Sequence, residues 1–206
     1  CYAGVTALRT AAHIVRSDPA ARVLVVSVEL CSLHLQDTGN LASLLAMAQF
    51  ADGAAAALVS AEGPGLALGR GVSLLLDDSA GLITWTIGDS GFAMELSGEV
   101  PGLLAETLAA QAVAARLTGG VPSDAIAGWA VHPGGRSILD AVERGLGIPA
   151  PSLLASRAVL SDFGNMSSAS VLFVLERLFA QRPTTGLALA FGPGLAVEGL
   201  HFGWND

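Results

Sequence analysis

Residues 22–29 have the sequence RVLVVSVE, a short run of apolar, mostly β-branched side chains that ends on a carboxylate. Runs of this kind are typical of strands that are buried on both faces of a sheet. Just before it, residues 2–16 carry apolar side chains at a spacing close to that of a helix, and the stretch Ser17-Asp18-Pro19 ends that pattern. The two segments together predict a helix that packs on a buried strand.

The same alternation continues along the chain. Helices are predicted at residues 41–50, 101–117, 137–145 and 168–179, strands at residues 54–60, 81–87, 126–131 and 186–191, and a final segment at residues 196–202. Apolar strands separated by helices of about ten or more residues indicate a layered α/β architecture. The stretch Gly63-Pro64-Gly65 is the best internal boundary, because glycine and proline interrupt regular structure.

The composition excludes several classes of protein. Of the 206 residues, 52% are hydrophobic and 14% are charged, which excludes a disordered chain. The net charge of −8 would repel the phosphates of nucleic acids and of anionic membrane surfaces. The longest stretch without a charged side chain is residues 183–197, which is shorter than the roughly 20 residues that a bilayer-spanning helix needs. We therefore expect no nucleic acid and no membrane as partner.

Cys1 and Cys31 are the two cysteines of the sequence. They are too few for the disulfide framework of a small secreted domain, and no CxxC pair offers a zinc site. We therefore expect a reducing cytoplasm and no metal. The first residue is Cys1 rather than Met and neither a natural start nor a signal peptide is visible, so we expect the chain to be cut from a longer one.

Three segments place a reactive or polar side chain beside glycine: CYAG at residues 1–4, HPGG at residues 132–135 and GNMSSAS at residues 164–170. A cysteine at a helix N-terminus experiences the positive end of the helix dipole, and a nearby imidazole can take its proton, which yields the nucleophile of thioester chemistry. An asparagine amide and a histidine N–H can together bind the oxygen of an enolate or a tetrahedral intermediate. Taken singly, each segment is more typical of a buried small side chain, a turn or a helix start.

Taken together, the three segments resemble, in order and in approximate spacing, those of the type III polyketide synthases, the chalcone and stilbene synthase-like enzymes of the thiolase superfamily. Supporting segments are RVLVVSVE (22–29), QFADGAAA (49–56), LSDFGNMSSASVLFVLE (160–176) and AFGPGL (190–195). The resemblance implies a thiolase-like αβαβα fold with a mixed five-stranded sheet in each half. Residues 1–62 would form the rear portion of the first half, and residues 63–206 the second half.

The resemblance also implies the roles of the reactive residues. Cys1 would hold the starter and the growing chain as a thioester. His132 would maintain the thiolate and, with Asn165, would assist the decarboxylation of malonyl-coenzyme A and stabilise the enolate. Gly134 and Gly135 of the HPGG motif would contact coenzyme A.

Further positions are implied to form the cavity in which the chain grows. Phe50 matches a gatekeeping phenylalanine between the coenzyme A tunnel and the cavity. The loop of Phe191, Gly192, Pro193 and Gly194 would shape the cavity floor, and Cys31, His34, Trp85, Phe92, Met94 and Ser167 would line the walls.

Several of these positions depart from the plant chalcone synthases. Cys31 and His34 stand where those enzymes usually have threonines, Trp85 replaces a small glycine, and Met94 replaces a second gatekeeping phenylalanine. Trp85 would narrow one side of the cavity while the flexible Met94 relaxes another. Residues 28–33 look more like the microbial branch of the family, so the product of chalcone synthase does not transfer to this chain.

The function implied by the resemblance is an acyltransferase that condenses malonyl-coenzyme A onto a coenzyme A-linked starter. Such an enzyme needs no cofactor beyond its thioester substrates, and members of the family are homodimers. Two alternatives stay open. Ketoacyl synthase III enzymes share the Cys-His-Asn triad but follow the histidine differently and lack the FGPG loop. A non-catalytic thiolase-fold fragment is favoured by a chain that begins at the nucleophile itself.

Overall fold

The computed structural model describes residues 1–89 and 91–206. The helices are α1 (Ala3–Ser17), α2 (Leu41–Met47), α3 (Val100–Ala109), α4 (Gln111–Thr118), α5 (Arg136–Leu146), α6 (Leu154–Phe163) and α7 (Ser170–Phe179). The strands are β1 (Val23–Glu29), β2 (Gly53–Val59), β3 (Gly65–Leu75), β4 (Ile83–Gly88), β5 (Gly91–Leu96), β6 (Gly128–Val131), β7 (Gly186–Gly192) and β8 (Ala196–Asn205). Short 3-10 turns at Cys31–His34, Ser167–Ala169 and Pro193–Leu195 border the region of the candidate site.

Two sheets and the helices around them form the layers of the fold. Strands β3, β8, β7 and β6 form a mixed four-stranded sheet in that order, with β6 and β7 parallel and the other neighbours antiparallel. Strands β1 and β2 form an antiparallel pair. Helices α1 and α7 lie between this pair and the four-stranded sheet, while α3 and α5 cover the other face of the four-stranded sheet. The layered α/β class is thereby confirmed.

Strand β7 shows how side-chain size sets these layers. It is buried along its whole length, and its side chains alternate between two apolar clusters. Leu187, Leu189 and Phe191 enter the cluster with α3 and α5, whereas Ala188 and Ala190 enter the cluster with α1 and α7. Small alanine side chains let the sandwiched helices approach the sheet closely.

The prediction that β1 is buried on both faces is wrong. Its residues alternate in exposure, and Leu24 and Val26 are 62% and 60% exposed. Their partners on β2 in the antiparallel register are Leu58 and Ala56, which are exposed on the same face. Helices α1 and α7 pack on the opposite face of this pair, so the apolar run of β1 is covered on one side within the described residues.

The mixed character of the larger sheet is confirmed. Within the described residues this sheet has four strands and the sheet of β1 and β2 has two, whereas the resemblance implied five strands for each complete half. Strands β4 and β5 pair with each other as a hairpin and do not extend the four-stranded sheet. The predicted helix at residues 101–117 is two helices, because Ala110 has an extended backbone (φ −63°, ψ 120°).

Strands β3 and β5 and helix α6 were not predicted from the sequence, whereas the predicted helices at residues 2–16 and 168–179 are confirmed by α1 and α7.

Within the described ranges, no helix has both the length and the apolar character needed to cross a membrane.

Candidate active site

Cys1 lies two residues before α1, and its sulfur is contacted by Ser167. The hydroxyl of Ser167 donates to Cys1 Sγ over 3.7 Å, and the backbone N–H of Ser167 donates to Asn165 Oδ1 over 2.9 Å. Ser167 has a left-handed backbone with φ of 50°, a conformation that non-glycine residues adopt at a cost of about 1–3 kcal/mol. This strained residue links the candidate nucleophile to the candidate amide.

Asn165 is buried and is held from both sides. Its backbone N–H donates to the carbonyl of Gln49 over 3.0 Å, and its own carbonyl accepts from the N–H of Ala51 over 2.9 Å. These bonds place Asn165 opposite Phe50 in an isolated parallel bridge. Asn165 Nδ2 donates to the carbonyl of Gly134 over 3.3 Å, which ties the amide to the turn that follows His132.

His132 follows the buried strand β6, and its backbone N–H donates to the carbonyl of Leu189 over 2.7 Å. Burial lowers the pKa of His132 to about 3, so the imidazole is neutral at neutral pH. Neither ring nitrogen has a hydrogen-bond partner in the part of the chain that the structure describes. An unpaired buried polar group costs about 1–3 kcal/mol, so a ligand oxygen or thiol that bonds to this ring would be stabilised.

Glu29 is a residue of the site region that the sequence reasoning did not single out. Its carboxylate accepts from the backbone N–H of Ser168 over 3.2 Å and also from the Ser168 hydroxyl. The hydroxyls of Ser27 and Ser168 are 2.6 Å apart. Glu29 therefore fixes the 3-10 turn that carries Ser167, and its signal in the sequence is a carboxylate at the end of an apolar strand.

A cavity of about 160 Å³ lies next to these residues. Seven of the predicted cavity residues line it: Cys31, His34, Phe50, Trp85, Phe92, Met94 and Ser167. Residues that were not predicted also line it, among them Glu29, Gln36, Met47 and Glu95. Burial raises the pKa of the Cys31 thiol, and the carboxylates of Glu29 and Asp52 raise it further, so Cys31 is a neutral wall residue.

Three aromatic rings form one wall of this cavity. His34, Trp85 and Phe92 contact one another edge to face, with ring centroids 5.0–5.8 Å apart. Gln36 Nε2 donates to the carbonyl of Phe92 over 2.8 Å, and the backbone N–H of Gln36 donates to Met47 Sδ over 3.3 Å. These contacts hold the β4–β5 hairpin against the segment that follows β1.

Other predicted residues lie outside the lining of this cavity. The residues concerned are Cys1, His132, Gly134, Gly135 and Asn165, and Ser167, which lines the cavity, bonds to Cys1 and Asn165. Residues 191–194 end β7 and begin the 3-10 turn Pro193–Leu195, which contacts β4, and Gly194 has a φ of 72°. A Cβ atom on Gly192 would lie 2.5 Å from the ring of Tyr2, so this loop also packs against the residue that follows Cys1.

A thiol before a sandwiched helix, a buried neutral imidazole and a fixed amide are thus held by a layered α/β fold. Residues 1–63 match the family model of the N-terminal domain of chalcone and stilbene synthases, and residues 68–203 match that of their C-terminal domain. The chain therefore belongs to the chalcone and stilbene synthase family of type III polyketide synthases.

Relatives and solved structures agree with this assignment. The alpha-pyrone synthesis polyketide synthase-like Pks18 of Mycobacterium tuberculosis is 36% identical over 214 residues, which cover 98% of this chain and 54% of Pks18. The crystal structure of PKS-I from the brown alga Ectocarpus siliculosus superposes with a TM-score of 0.91 at 32% identity, covering 98% of this chain and 58% of that one. The crystal structure of the 1,3,6,8-tetrahydroxynaphthalene synthase of Streptomyces coelicolor A3(2) superposes with a TM-score of 0.90 at 31% sequence identity. The match covers 100% of this chain and 61% of that one. The chain thus spans about half the length of the curated relative that it matches.

Proposed function

We propose that the protein is an acyltransferase that lengthens a coenzyme A-linked starter with malonyl-coenzyme A by iterative decarboxylative condensation. One observation carries the proposal: the buried ring of His132, which has no hydrogen-bond partner among the described residues, lies against Gly134, whose carbonyl accepts from the amide of Asn165, and Ser167 joins that amide to the sulfur of Cys1. A nucleophile and two oxygen-directed N–H groups are the parts that this reaction requires.

The proposed reaction has three steps: loading of the starter, decarboxylation of malonyl-coenzyme A, and condensation. The thiol of Cys1 attacks the carbonyl of the starter thioester, the C–S bond to coenzyme A breaks, and the thiol proton passes to the coenzyme A thiolate that leaves. Malonyl-coenzyme A loses carbon dioxide, and the electron pair of the broken C–C bond becomes an enolate, whose oxygen His132 and Asn165 bind through N–H groups. The enolate carbon attacks the acyl group on Cys1, so that a C–C bond forms, the C–S bond breaks and the thiolate returns.

Neutral His132 suits this scheme, because a neutral imidazole can donate an N–H to the enolate oxygen at neutral pH. The acyl-coenzyme A starter and malonyl-coenzyme A are the proposed partners, with no other cofactor, in a homodimer. Both thiols of the chain are free, which favours a reducing compartment such as the cytoplasm.

The bulky Trp85 forms part of the cavity wall. We propose that it limits the length of the chain that the site accepts.

The test is to give the protein labelled malonyl-coenzyme A with a panel of acyl-coenzyme A starters and to measure acylation by intact mass, together with carbon dioxide release. Cys1→Ala should lose acylation. Asn165→Ala should keep acylation and lose carbon dioxide release by about 10²–10³-fold, the usual effect of removing one oxyanion donor. Asn205→Ala, at the exposed end of β8, is the matched control and should change neither quantity.

The outcomes separate the alternatives. Acylation of Cys1→Ala as fast as that of the unchanged protein would refute the nucleophile assignment. A single extension that uses only an acyl carrier protein as donor would favour a ketoacyl synthase III-like enzyme. A species of 20.8 kDa that is never acylated would favour the non-catalytic thiolase-fold fragment.

A further inference from the structure

We infer that a second cavity, at the end of the four-stranded sheet far from Cys1, binds a small carboxylate that carries a hydroxyl group on an apolar body. The inference goes beyond the proposed function and does not depend on it. It is carried by three polar side chains at this cavity, Arg70, Thr118 and His201, which have hydrogen-bonding capacity left for a ligand.

The second cavity has a volume of about 280 Å³ and is lined by residues of β3, β7 and β8 and by the last residue of α4. Strand β7 separates it from the candidate active site. Gly186, at the start of β7, lines the cavity, whereas Gly192, at the other end, lies against Tyr2, the residue after Cys1. Six residues of a strand span about 20 Å, so a ligand here is remote from the nucleophile.

The charges around the second cavity favour an anion. None of the described residues that line it is acidic, although the chain has 18 acidic and 10 basic side chains, whereas Glu29 and Glu95 line the first cavity. Arg70 lies at its border: Nη2 is 3.5 Å from Nε2 of His201 and would lie 3.4 Å from a Cβ atom on Gly119. Arg70 forms no ion pair within the described part of the chain, so its charge is available to a carboxylate.

Arg70 and His201 each keep a polar group for a ligand. Arg70 Nη2 donates to the carbonyl of Arg116 over 2.8 Å, which uses one of the five N–H groups of the guanidinium. His201 Nε2 lies 2.8 Å from the carbonyl oxygen of Leu117, and since a carbonyl can only accept, Nε2 carries the N–H. Burial lowers the pKa of His201, so the ring is neutral at neutral pH and Nδ1 is an acceptor. Nδ1 has no partner among the described residues and is not enclosed by them.

Thr118 supplies the third polar group. It is only 4% exposed and lines the cavity, and its hydroxyl forms no hydrogen bond to another described residue. A hydroxyl in this position is stabilised when a ligand bonds to it. The apolar side chains of Val121, Ile126 and Phe202 line the same cavity and suit an apolar ligand body.

These groups together specify the class of ligand. Arg70 donates to a carboxylate, Nδ1 of His201 accepts from a hydroxyl, and the hydroxyl of Thr118 can do either. A single arginine balances one negative charge. It therefore favours a carboxylate over a phosphate monoester, which carries about −1.5 to −2 at neutral pH.

The experiment measures binding without turnover, so its outcome is independent of the condensation assay. The probes are 3-hydroxybenzoate, benzoate, which lacks the hydroxyl, and 3-hydroxybenzyl alcohol, which lacks the carboxylate. Calorimetric titration at neutral pH should show that 3-hydroxybenzoate binds about fivefold more tightly than benzoate and about tenfold more tightly than the alcohol. The ring nitrogen resonances of His201 should shift when 3-hydroxybenzoate binds.

Two variants assign the binding to this cavity. Arg70→Gln removes the positive charge and should weaken the binding of 3-hydroxybenzoate about tenfold. Thr118→Val replaces the hydroxyl by a methyl group and should weaken it about fivefold. Arg22→Gln is the matched control, because Arg22 is exposed before β1 and bonds to no described residue. Solvent screens a distant exposed charge, so this variant should stay within about twofold of the unchanged protein.

Three results would overturn the inference. They are the absence of 3-hydroxybenzoate binding, equal binding of the three probes, and an affinity that Arg70→Gln leaves unchanged or that Arg22→Gln lowers as much. The last result would mean that the probe binds elsewhere or responds to net charge alone. The His201 resonances of the unchanged protein decide the question even if Thr118→Val does not fold.

Discussion

Strands β1 and β7 are both short runs of apolar residues, and the structure treats them differently. Every residue of β7 is buried, and Leu189 at its centre is fully buried. In β1 alternate residues are exposed, and Leu24 is 62% exposed. Helices cover both faces of β7, whereas α1 and α7 cover one face of β1. Hydrophobic sequence thus contributes to stability only where a second layer removes it from water.

The candidate site lies at the border between these two regions. Cys1 precedes the sandwiched helix α1 and Glu29 ends β1, both on the side of the half-covered sheet. His132 follows β6 of the fully covered sheet, and Asn165 precedes α7. The fully covered region therefore supplies His132, whose pKa is lowered by burial, and the half-covered region supplies the candidate nucleophile and the carboxylate that fixes the Ser168 turn.

The largest expected effect comes from removing the same side chain from each strand. Leu189→Ala creates a cavity in a closely packed core and should lower the free energy of unfolding by about 2–5 kcal/mol. Leu24→Ala removes an exposed side chain and should change it by less than about 0.5 kcal/mol. Urea unfolding followed by circular dichroism measures both. Equal losses would mean that the outer face of β1 is covered in solution, and the contrast between the strands would fail.

The contact between the two regions can be tested at Gly4 of α1. A Cβ atom on Gly4 would lie 2.4 Å from the carbonyl oxygen of Ser168, so Gly4→Ala forces α1 away from the turn beside the site. Overpacking of this kind costs about 1–3 kcal/mol. Gly102→Ala, on the exposed face of α3 where a Cβ meets nothing within 4 Å, should instead stabilise by about 0.5–1 kcal/mol. Thermal unfolding of both variants checks the signs, and a stabilised Gly4→Ala would contradict the close approach.

The sequence predicted those elements whose pattern is local and regular. Helices α1 and α7 follow from apolar spacing, and β7 from an uninterrupted apolar run. Strand β3 was missed because its sequence GLALGRGVSLL contains three glycines and an arginine, which weaken a strand pattern. The break at Ala110 has neither proline nor glycine to signal it.

Prediction of the site residues from the sequence was likewise limited to those with a local signal. Short motifs pointed to Cys1, His132 and Asn165, because reactive side chains beside glycine are conspicuous in an apolar chain. The bond between Glu29 and Ser168 joins residues that are 139 positions apart, and no local pattern encodes such a pair. Likewise, the exposure of β1 depends on what lies over it rather than on its own residues, so periodicity predicted a buried strand where one face is open.

The smallest expected effect is a pH dependence of the free energy of unfolding, which tests whether water is excluded from the covered region around His132. The pKa of His132 is lowered by burial from 6.5 to about 3 in the folded protein, so below pH 6.5 the unfolded chain binds a proton that the folded chain does not. The free energy of unfolding therefore carries no penalty from this histidine above pH 6.5, and it decreases as the pH falls from 6.5 towards 3. Between about pH 7.5 and about pH 5.5 the loss should be about 1.4 kcal/mol.

Urea unfolding at the two pH values measures this loss. His132→Gln should remove it, because glutamine does not titrate. His201→Gln is the matched control: burial also lowers the pKa of His201, but that ring is only partly buried and bonds to the carbonyl of Leu117, so most of the pH dependence should remain. An unchanged slope in His132→Gln would show that the imidazole is protonated or hydrated in the folded state, and the fully covered region would then be no drier at this point than the half-covered one.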